Sequence, residues 1–505
     1  MSDKTRITVI ADGIRKKAEA GILLSEFLLG EQPCGGHGKC GKCKVIAHGV
    51  LSPLSASEKQ LLTPSEIDQG VRLACCTYAL GDCTVSRFDS GNRSDRIVTD
   101  STLPQFACDP AFEKYGAAID IGTTTLAARL YDTSGRLLSE ATALNPQSTW
   151  GADVISRIEA SLAGEATALA SSIRQAIDRL LSELCQQADI ASEEIDGVVI
   201  TGNTVMLYLL TESSPLTLSR APFEADRLFG ETILAKDLGL TSLTERTNIY
   251  LPPCISAFVG ADTTCALLAT RLCESDKALM LADIGTNGEM ALWHDGKLTV
   301  CSTAAGPAFE GVGISMGMRA ADGAIDKVSL ADGRLFCHTI GNGKPIGICG
   351  SGLIDAISCL LEIEELDESG YLEEDPYPLD GAVSLIQKDV RAVQLAKSAI
   401  CAGIETLLNL CNINAEQVST LFIAGGFGHY LNIRSARKTG LLPAPLTSVV
   451  EAVGNAALGG ASMLLLNRGL RQDSLKMARN AVTAELSTSP VFSENYMMGM
   501  MFEEK

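Results

Sequence analysis

The sequence predicts a small α+β unit at the amino end, followed by a larger α/β unit built twice from one pattern. Three observations predict this. A glycine-rich loop with three closely spaced cysteines stands near the amino end, in PCGGHGKCGKCKV. An apolar strand ending in Asp-Ile-Gly-Thr occurs at Asp120 and recurs 163 residues later at Asp283. Between the two regions, residues 89–115 are polar, carry two prolines and show no sustained periodicity, so they read as a linker. At 505 residues and 46% apolar, the chain is long enough for about three folded units with real cores.

Charge removes several classes of function. Lys and Arg number 41 against 61 Asp and Glu, a formal net charge of −20. No cationic field is available for phosphate backbones or anionic lipid, which argues against nucleic acid and membranes as partners. The apolar runs, such as that around Leu464–Leu466, fall far short of the roughly 18 residues that span a bilayer. The start, MSDKTRITVIADG, lacks the apolar segment of a secretory signal. The expectation is a soluble, cytoplasmic protein.

In residues 1–88, TRITVIADGIRKKAEAGILLSEFLL reads as a strand, a turn at Asp12-Gly13 and an amphipathic stretch, and CTVSRF as a later short strand. Cys34, Cys40 and Cys43 form a C-x5-C-x2-C pattern, and Cys75 follows after 31 intervening residues. This is close to the plant-type [2Fe–2S] spacing, in which one loop presents three thiolates and a distant cysteine the fourth. Gly35, Gly36, Gly38 and Gly41 let backbone N–H groups approach the cluster sulfurs. The unit therefore reads as a ferredoxin-like β-grasp. A structural zinc site is the competing reading, but it usually shows two short knuckles rather than one three-cysteine loop. Cys75 is chosen over its neighbour Cys76 because VRLACC resembles the RLAC segment of adrenodoxin-type ferredoxins. His37 reads as a solvated loop residue. Most of the other cysteines among the seventeen, including Cys185, Cys254, Cys359 and Cys411, read as small buried hydrophobes.

The repeated segments are AAIDIGTTTLAARLYDTSGRLL and LMLADIGTNGEMALWHDGKLTV. Each reads as strand, tight turn, strand, glycine turn and strand, with the second turns at Ser134-Gly135 and Asp295-Gly296. Two such turns offer facing nests of backbone N–H groups that can grip one polyphosphate. Gly122, Thr123, Thr124 and Thr125 supply the first nest, and Gly285, Thr286 and Asn287 the second. Asp120 and Asp283 end the strands where a hydrated Mg²⁺ or an attacking water belongs, since Mg²⁺ takes one or two carboxylates plus phosphate oxygens. Asp262 and Glu289 are secondary candidates for positioning water; helix capping or a turn hydrogen bond explains them as well. A third segment, LFIAGGFGHYLN, places Gly425, Gly426 and Gly428 after a strand, where backbone can approach a flat ring or a phosphate.

DIGTTT, DIGTNGE and IAGGFG, in this order, resemble the two phosphate motifs and the adenosine motif of the actin, hexokinase and acetate-kinase type (ASKHA) ATPases. GNTVM at 202–206 and GICGSGLIDAI at 347–357 resemble its connecting segments. Joined to an amino-terminal [2Fe–2S] unit, the chain resembles the reductive activators of corrinoid proteins. NPQSTWGADVISRI, ISAFVGADTTCALLA and TAAGPAFEGVGISMGMRAADGAI look like that family too. The resemblance implies a ferredoxin-like domain over 1–88, a linker over 89–115, and two ATPase subdomains over 116–277 and 278–505. It implies [2Fe–2S], ATP and Mg²⁺ as cofactors, and a corrinoid protein and a low-potential electron donor as partners. The activity would be ATP-dependent reduction of cob(II)amide to cob(I)amide for methyl transfer, as in anaerobic O-demethylation. The oligomeric state is left open, with a homodimer compatible.

Two other readings stay open. Cys349 lies in a glycine-rich segment similar to one that ligates a cluster in activators of 2-hydroxyacyl-CoA dehydratases. Alternatively, cluster and nucleotide could gate a protein contact in a non-enzymatic sensor. Ser302 and Thr303 read either as a loop or as a contact to a bound partner, and the Met-rich ENYMMGMMFEEK reads as a final core strand.

Overall fold

The computed structural model describes residues 6–11, 14–27, 43–62, 66–67, 69–87, 103–331 and 333–502. The chain separates into two compact units, Met1–Arg93 with Pro146–Arg157, and Ser94–Asn145 with Ile158–Lys505.

In the first unit, β1 (Arg6–Ala11) and β2 (Ile14–Glu19) pair antiparallel. β3 (Ile22–Leu23), β4 (Lys44–Leu51), β5 (Val71–Leu73) and β6 (Tyr78–Arg87) complete a six-stranded mixed sheet of order β2-β1-β6-β4-β5, with β3 beside β6. β1 and β6 run parallel while β4 pairs antiparallel with both β5 and β6. The period-two pattern of β1 turns Ile7, Val9 and Ala11 inward, against Leu24, Val71 and Leu73. A short helix, Ala56–Leu61, carries Glu58 into this core with no exposed surface. Its carboxylate accepts from Arg72 Nε (2.8 Å), Leu73 N (3.1 Å) and Thr77 Oγ1 (2.8 Å). A buried charge is tolerated only when so paired. These bonds hold the segment that contains Cys75.

The second unit is built on two sheets of matching plan. In the first, β7 (Tyr115–Ile121), β8 (Thr125–Asp132) and β9 (Leu137–Leu144) form an antiparallel meander. β10 (Ile195–Gly202) pairs parallel with β7, β12 (Asn248–Leu251) parallel with β10, and β11 (Glu231–Leu234) closes the far edge. In the second, β13 (Ala278–Ile284), β14 (Gly288–His294) and β15 (Lys297–Thr303) repeat the meander. After the smaller strands β16 (Ala324–Ala331), β17 (Arg334–Thr339), β18 (Gly347–Ile348), β19 (Tyr377–Asp380) and β20 (Val383–Leu385), the chain returns to this sheet. There β21 (Val418–Ala424) pairs parallel with β13, β22 (Val450–Gly454) parallel with β21, and β23 (Val482–Thr483) with β15. The duplication read from two hairpins thus extends to five matching strands per sheet, with β10 and β12 answering to β21 and β22. Strands covered on both faces are apolar without alternation, as in AAIDI and LMLADI.

The helices Ala261–Ala269 and Ala456–Leu466 occupy equivalent places after β12 and β22 and pack on one another. Their approach is set by Gly460, where a Cβ would stand 1.9 Å from the Cys265 carbonyl oxygen.

Two expectations are corrected. Within the stretch read as a linker, the part from Leu103 onward belongs to the second unit. Leu103 and Phe106 pack on its core, and Phe112 is buried among Tyr250, Leu464 and Leu465. Its aromatic residues, at no regular spacing, anchor an irregular strap that periodicity cannot detect. The Met-rich tail is not a core strand: Pro490–Met498 is helical, capped by Ser489, and Met497 and Met498 are mostly exposed. Pro at the first helical position and Ser before it signal that start.

Candidate functional site

A cleft of about 260 Å³ opens in the second unit where the two sheets present equivalent loops. Gly122, Thr123, Thr124 and Thr125 line it from the turn between β7 and β8, and Gly285, Thr286 and Asn287 from the turn between β13 and β14. Asp120, Asp262, Asp283 and Glu289 line it as well. The sheets dictate this convergence: Asp120 and Asp283 are the penultimate residues of β7 and β13, and Glu289 lies directly opposite Asp283 in the β13–β14 ladder. Asp262 enters from the first turn of its helix, where its Oδ1 accepts from Thr263 N at 2.7 Å.

Four acids crowded into one cleft raise one another's proton affinity. Burial, offset in part by a bond from Asn455 and reinforced by Asp283, pushes Asp120 up to about 7. Burial, with Asp120 as the contributing charge, pushes Asp262 up to about 7, and burial together with Asp262 and Glu310 does the same for Asp283. Burial, then Asp262 and Asp283, holds Glu289 well above the usual carboxylate range. Such a cluster attracts cations and repels bare anions, so a polyphosphate would enter with a divalent ion. Among the described residues no group of three or more His, Cys, Asp or Glu side chains converges as a metal cage.

Gly425 and Gly426 line the cleft and Gly428 does not. Gly425 has φ +89°, and a Cβ there would lie 2.6 Å from Asp283 Oδ1, so only glycine lets this strand end pass the carboxylate. A Cβ on Gly428 would strike Ile423 Cγ2 at 2.4 Å, so its place is one of packing against β21 and its assignment to a ligand is corrected. Phe427 stacks on Phe309 with ring centroids 4.7 Å apart and planes at 7°. Ser302 and Thr303 end β15 and so do not lie in a loop, and Thr303 is buried. Cys349 is buried on the cleft wall, 3.4 Å from Ser351 Oγ.

Several cleft residues escaped the sequence reading. Asn203 caps the helix Thr204–Leu210 by accepting from Met206 N (2.9 Å) and donates to Thr123 Oγ1 (3.1 Å). Asn455 caps the helix Ala456–Leu466 and donates to Asp120 Oδ2 at 3.0 Å. A signal existed for Asn455: VGNAA at 453–457 answers to VGADT at 259–263, a third member of the duplication. Glu310 bridges the two loops, accepting from Thr124 Oγ1 on one side and from Thr286 N (3.0 Å) and Oγ1 (2.6 Å) on the other. No local pattern in GPAFEG announces that.

In the first unit, Cys43 and Cys75 are both buried with sulfurs 3.2 Å apart, and Cys76 Sγ lies 3.6 Å from Cys75 Sγ. Cys34 and Cys40 lie outside the described residues.

Paired sheets of this plan, with equivalent loops and carboxylates facing across one cleft, define an actin/hexokinase-like ATPase fold of the ASKHA class. The family description "C-terminal domain of RACo the ASKHA domain" matches residues 277–505, and "RACo middle region" matches 115–275. The corrinoid activation enzyme RamQ of Eubacterium limosum is 36% identical over 441 residues, covering 80% of this chain and 74% of its own. The [Co(II) methylated amine-specific corrinoid protein] reductase of Methanosarcina barkeri is 25% identical over 422 residues, covering 77% of each. A solved reductive activator for a corrinoid, iron–sulfur protein superposes with a TM-score of 0.73 at 27% identity, over 99% of this chain and 98% of its own. The chain belongs to the family of reductive activators of corrinoid proteins.

Proposed function

We propose that this protein is an ATP-dependent reductive activator that returns the cobalt of a corrinoid protein from Co(II) to Co(I). The observation that carries the nucleotide half is the pair of equivalent loops facing across a cleft floored by strand-end carboxylates. Gly122, Thr123, Thr124 and Thr125 and, opposite, Gly285, Thr286 and Asn287 would hold the phosphates, with Gly425 and Gly426 beside the nucleoside. Asp120 and Asp283 would hold the waters of Mg²⁺, Asp120 being oriented by Asn455. Asp262 and Glu289 would position water.

The electron half rests on Cys34, Cys40, Cys43 and Cys75 as ligands of a [2Fe–2S] cluster in a ferredoxin-like unit. The 3.2 Å approach of Cys43 and Cys75 fits two thiols directed at one iron, and favours Cys75 over Cys76. When bound, such a cluster supplies a one-electron carrier near about −400 mV. Cysteine spacing, the Glu58 anchor beside Cys75 and the mixed sheet with parallel β1 and β6 support this reading. Each 100 mV uphill costs about 2.3 kcal/mol per electron. Nucleotide-driven change in how the chain engages its partner can offset that cost, because a ligand shifts an equilibrium by its differential affinity for two states. A low-potential donor would refill the carrier.

The test is anaerobic spectroscopy of the purified protein with a Co(II) corrinoid protein and a reductant, with and without Mg-ATP. The expected result is a [2Fe–2S] EPR signal and Co(I) absorption that appears with ATP. Equal rate and extent of Co(I) formation without ATP would overturn the coupling.

A further inference from the structure

Glu310 belongs to neither repeated hairpin, yet its carboxylate joins them. Its Oε1 accepts from the Thr286 amide (3.0 Å) and the Thr286 hydroxyl (2.6 Å), while Oε2 takes the hydroxyl of Thr124 from the opposite loop. Two further contacts place it. Gly306 N donates to Thr286 O at 2.9 Å, seating the 306–311 turn on the second loop, and Phe309 stacks on Phe427 beside Gly425 and Gly426. Its charge also acts on Asp283, at the carboxylate end of the cleft. A carboxylate thus takes the donors that a phosphate group needs.

We propose that Glu310 is a built-in competitor of the nucleotide's phosphates, and that its displacement from Thr124 and Thr286 makes the cleft discriminate a nucleoside triphosphate from a diphosphate. This deepens the ATP-binding reading above and rests on it. A phosphate chain that bridges both loops recovers all three donors as Glu310 leaves; a chain one phosphate shorter recovers fewer and still meets the negative charge. Release of Glu310 also loosens the tie between the loops and pulls on the Phe309–Phe427 stack. Nucleotide arrival is thereby coupled to the relation between the two halves of the cleft.

The test measures ATP and ADP affinity by calorimetry, with Mg²⁺, for the full-length chain and for Glu310→Gln, with hydrolysis rates alongside. Removing the charge should tighten both nucleotides, ADP by about tenfold or more, a change of about 1.4 kcal/mol, and ATP by less, so the preference for ATP over ADP falls. Glu310→Asp keeps the charge but is too short to span both loops. It should move the ratio the same way by less, and carries the test if the Gln variant misfolds. An unchanged ratio in both variants overturns the proposal, as does weaker ATP binding. So does a lowered hydrolysis rate with both affinities unchanged, which would make Glu310 a catalytic group. A parent chain that binds neither nucleotide overturns the ATP-binding reading itself, and the proposal with it.

Discussion

Two acids of opposite character show how neighbours decide the work of a carboxyl group. Glu58 is surrounded by donors and is held down at about 2: burial opposes its charge, and the bonds from Arg72, Ser55, Thr77 and Leu73 outweigh it. A depressed folded value means stability that is present above about pH 4.5 and lost as pH falls toward 2. Glu58→Gln should cost about 3 kcal/mol at pH 7, because it strands Arg72; its urea midpoint at pH 7 should approach that of the parent at low pH. Asp283 faces the reverse situation, among acids. Its raised value means that the stability it contributes is present below about pH 3.8 and lost as pH rises through about 7. In Mg²⁺-free buffer at pH 8, Asp283→Asn should therefore be more stable than the parent, by more than about 1 kcal/mol, and melt higher, while Mg-ATP hydrolysis disappears. A lower melting temperature would mean that Asp283 serves the fold rather than the ligand.

Hairpins and helices were unequally legible. Both Asp-Ile-Gly-Thr hairpins could be read because period, turn residues and repetition agreed. The equivalence of β10 and β12 with β21 and β22 could not, because apolar strands covered on both faces carry no periodic mark. The helix pair is a similar case: ALGGASMLLL is apolar all round, and only packing shows that Gly460 is where the backbone of Cys265 passes. Gly460→Ala should destabilise the second unit by about 2 kcal/mol or more, measured by urea unfolding. Because this contact joins the two halves of the repeat, nucleotide affinity should fall with it. A variant of parental stability would show that the helices can separate freely.

For the whole chain, the two units predict separable losses. Cys43→Ser should abolish or alter the [2Fe–2S] spectrum and ATP-driven Co(I) formation, yet leave ATP hydrolysis in place. Asp283→Asn should retain the spectrum and lose hydrolysis. Loss of both activities in either variant would contradict a division of labour between the units.

Chemistry that resides in a few contiguous residues was readable from the chain alone. The two Asp-Ile-Gly-Thr hairpins that carry Asp120 and Asp283 into the cleft and the glycine turn at 425–426 are local, since each depends on residue type at close spacing. The resemblance to corrinoid activators rested on these segments, and the relatives support it. Long-range proximity decided the rest. The alliance of Asp120, Asp262, Asp283 and Glu289, the Asn455 bond to Asp120, the anchoring of residues 103–114 and the Glu310 bridge join groups far apart in sequence. Burial and neighbouring charge, which set their proton affinities and partners, exist only once the sheets have brought them together.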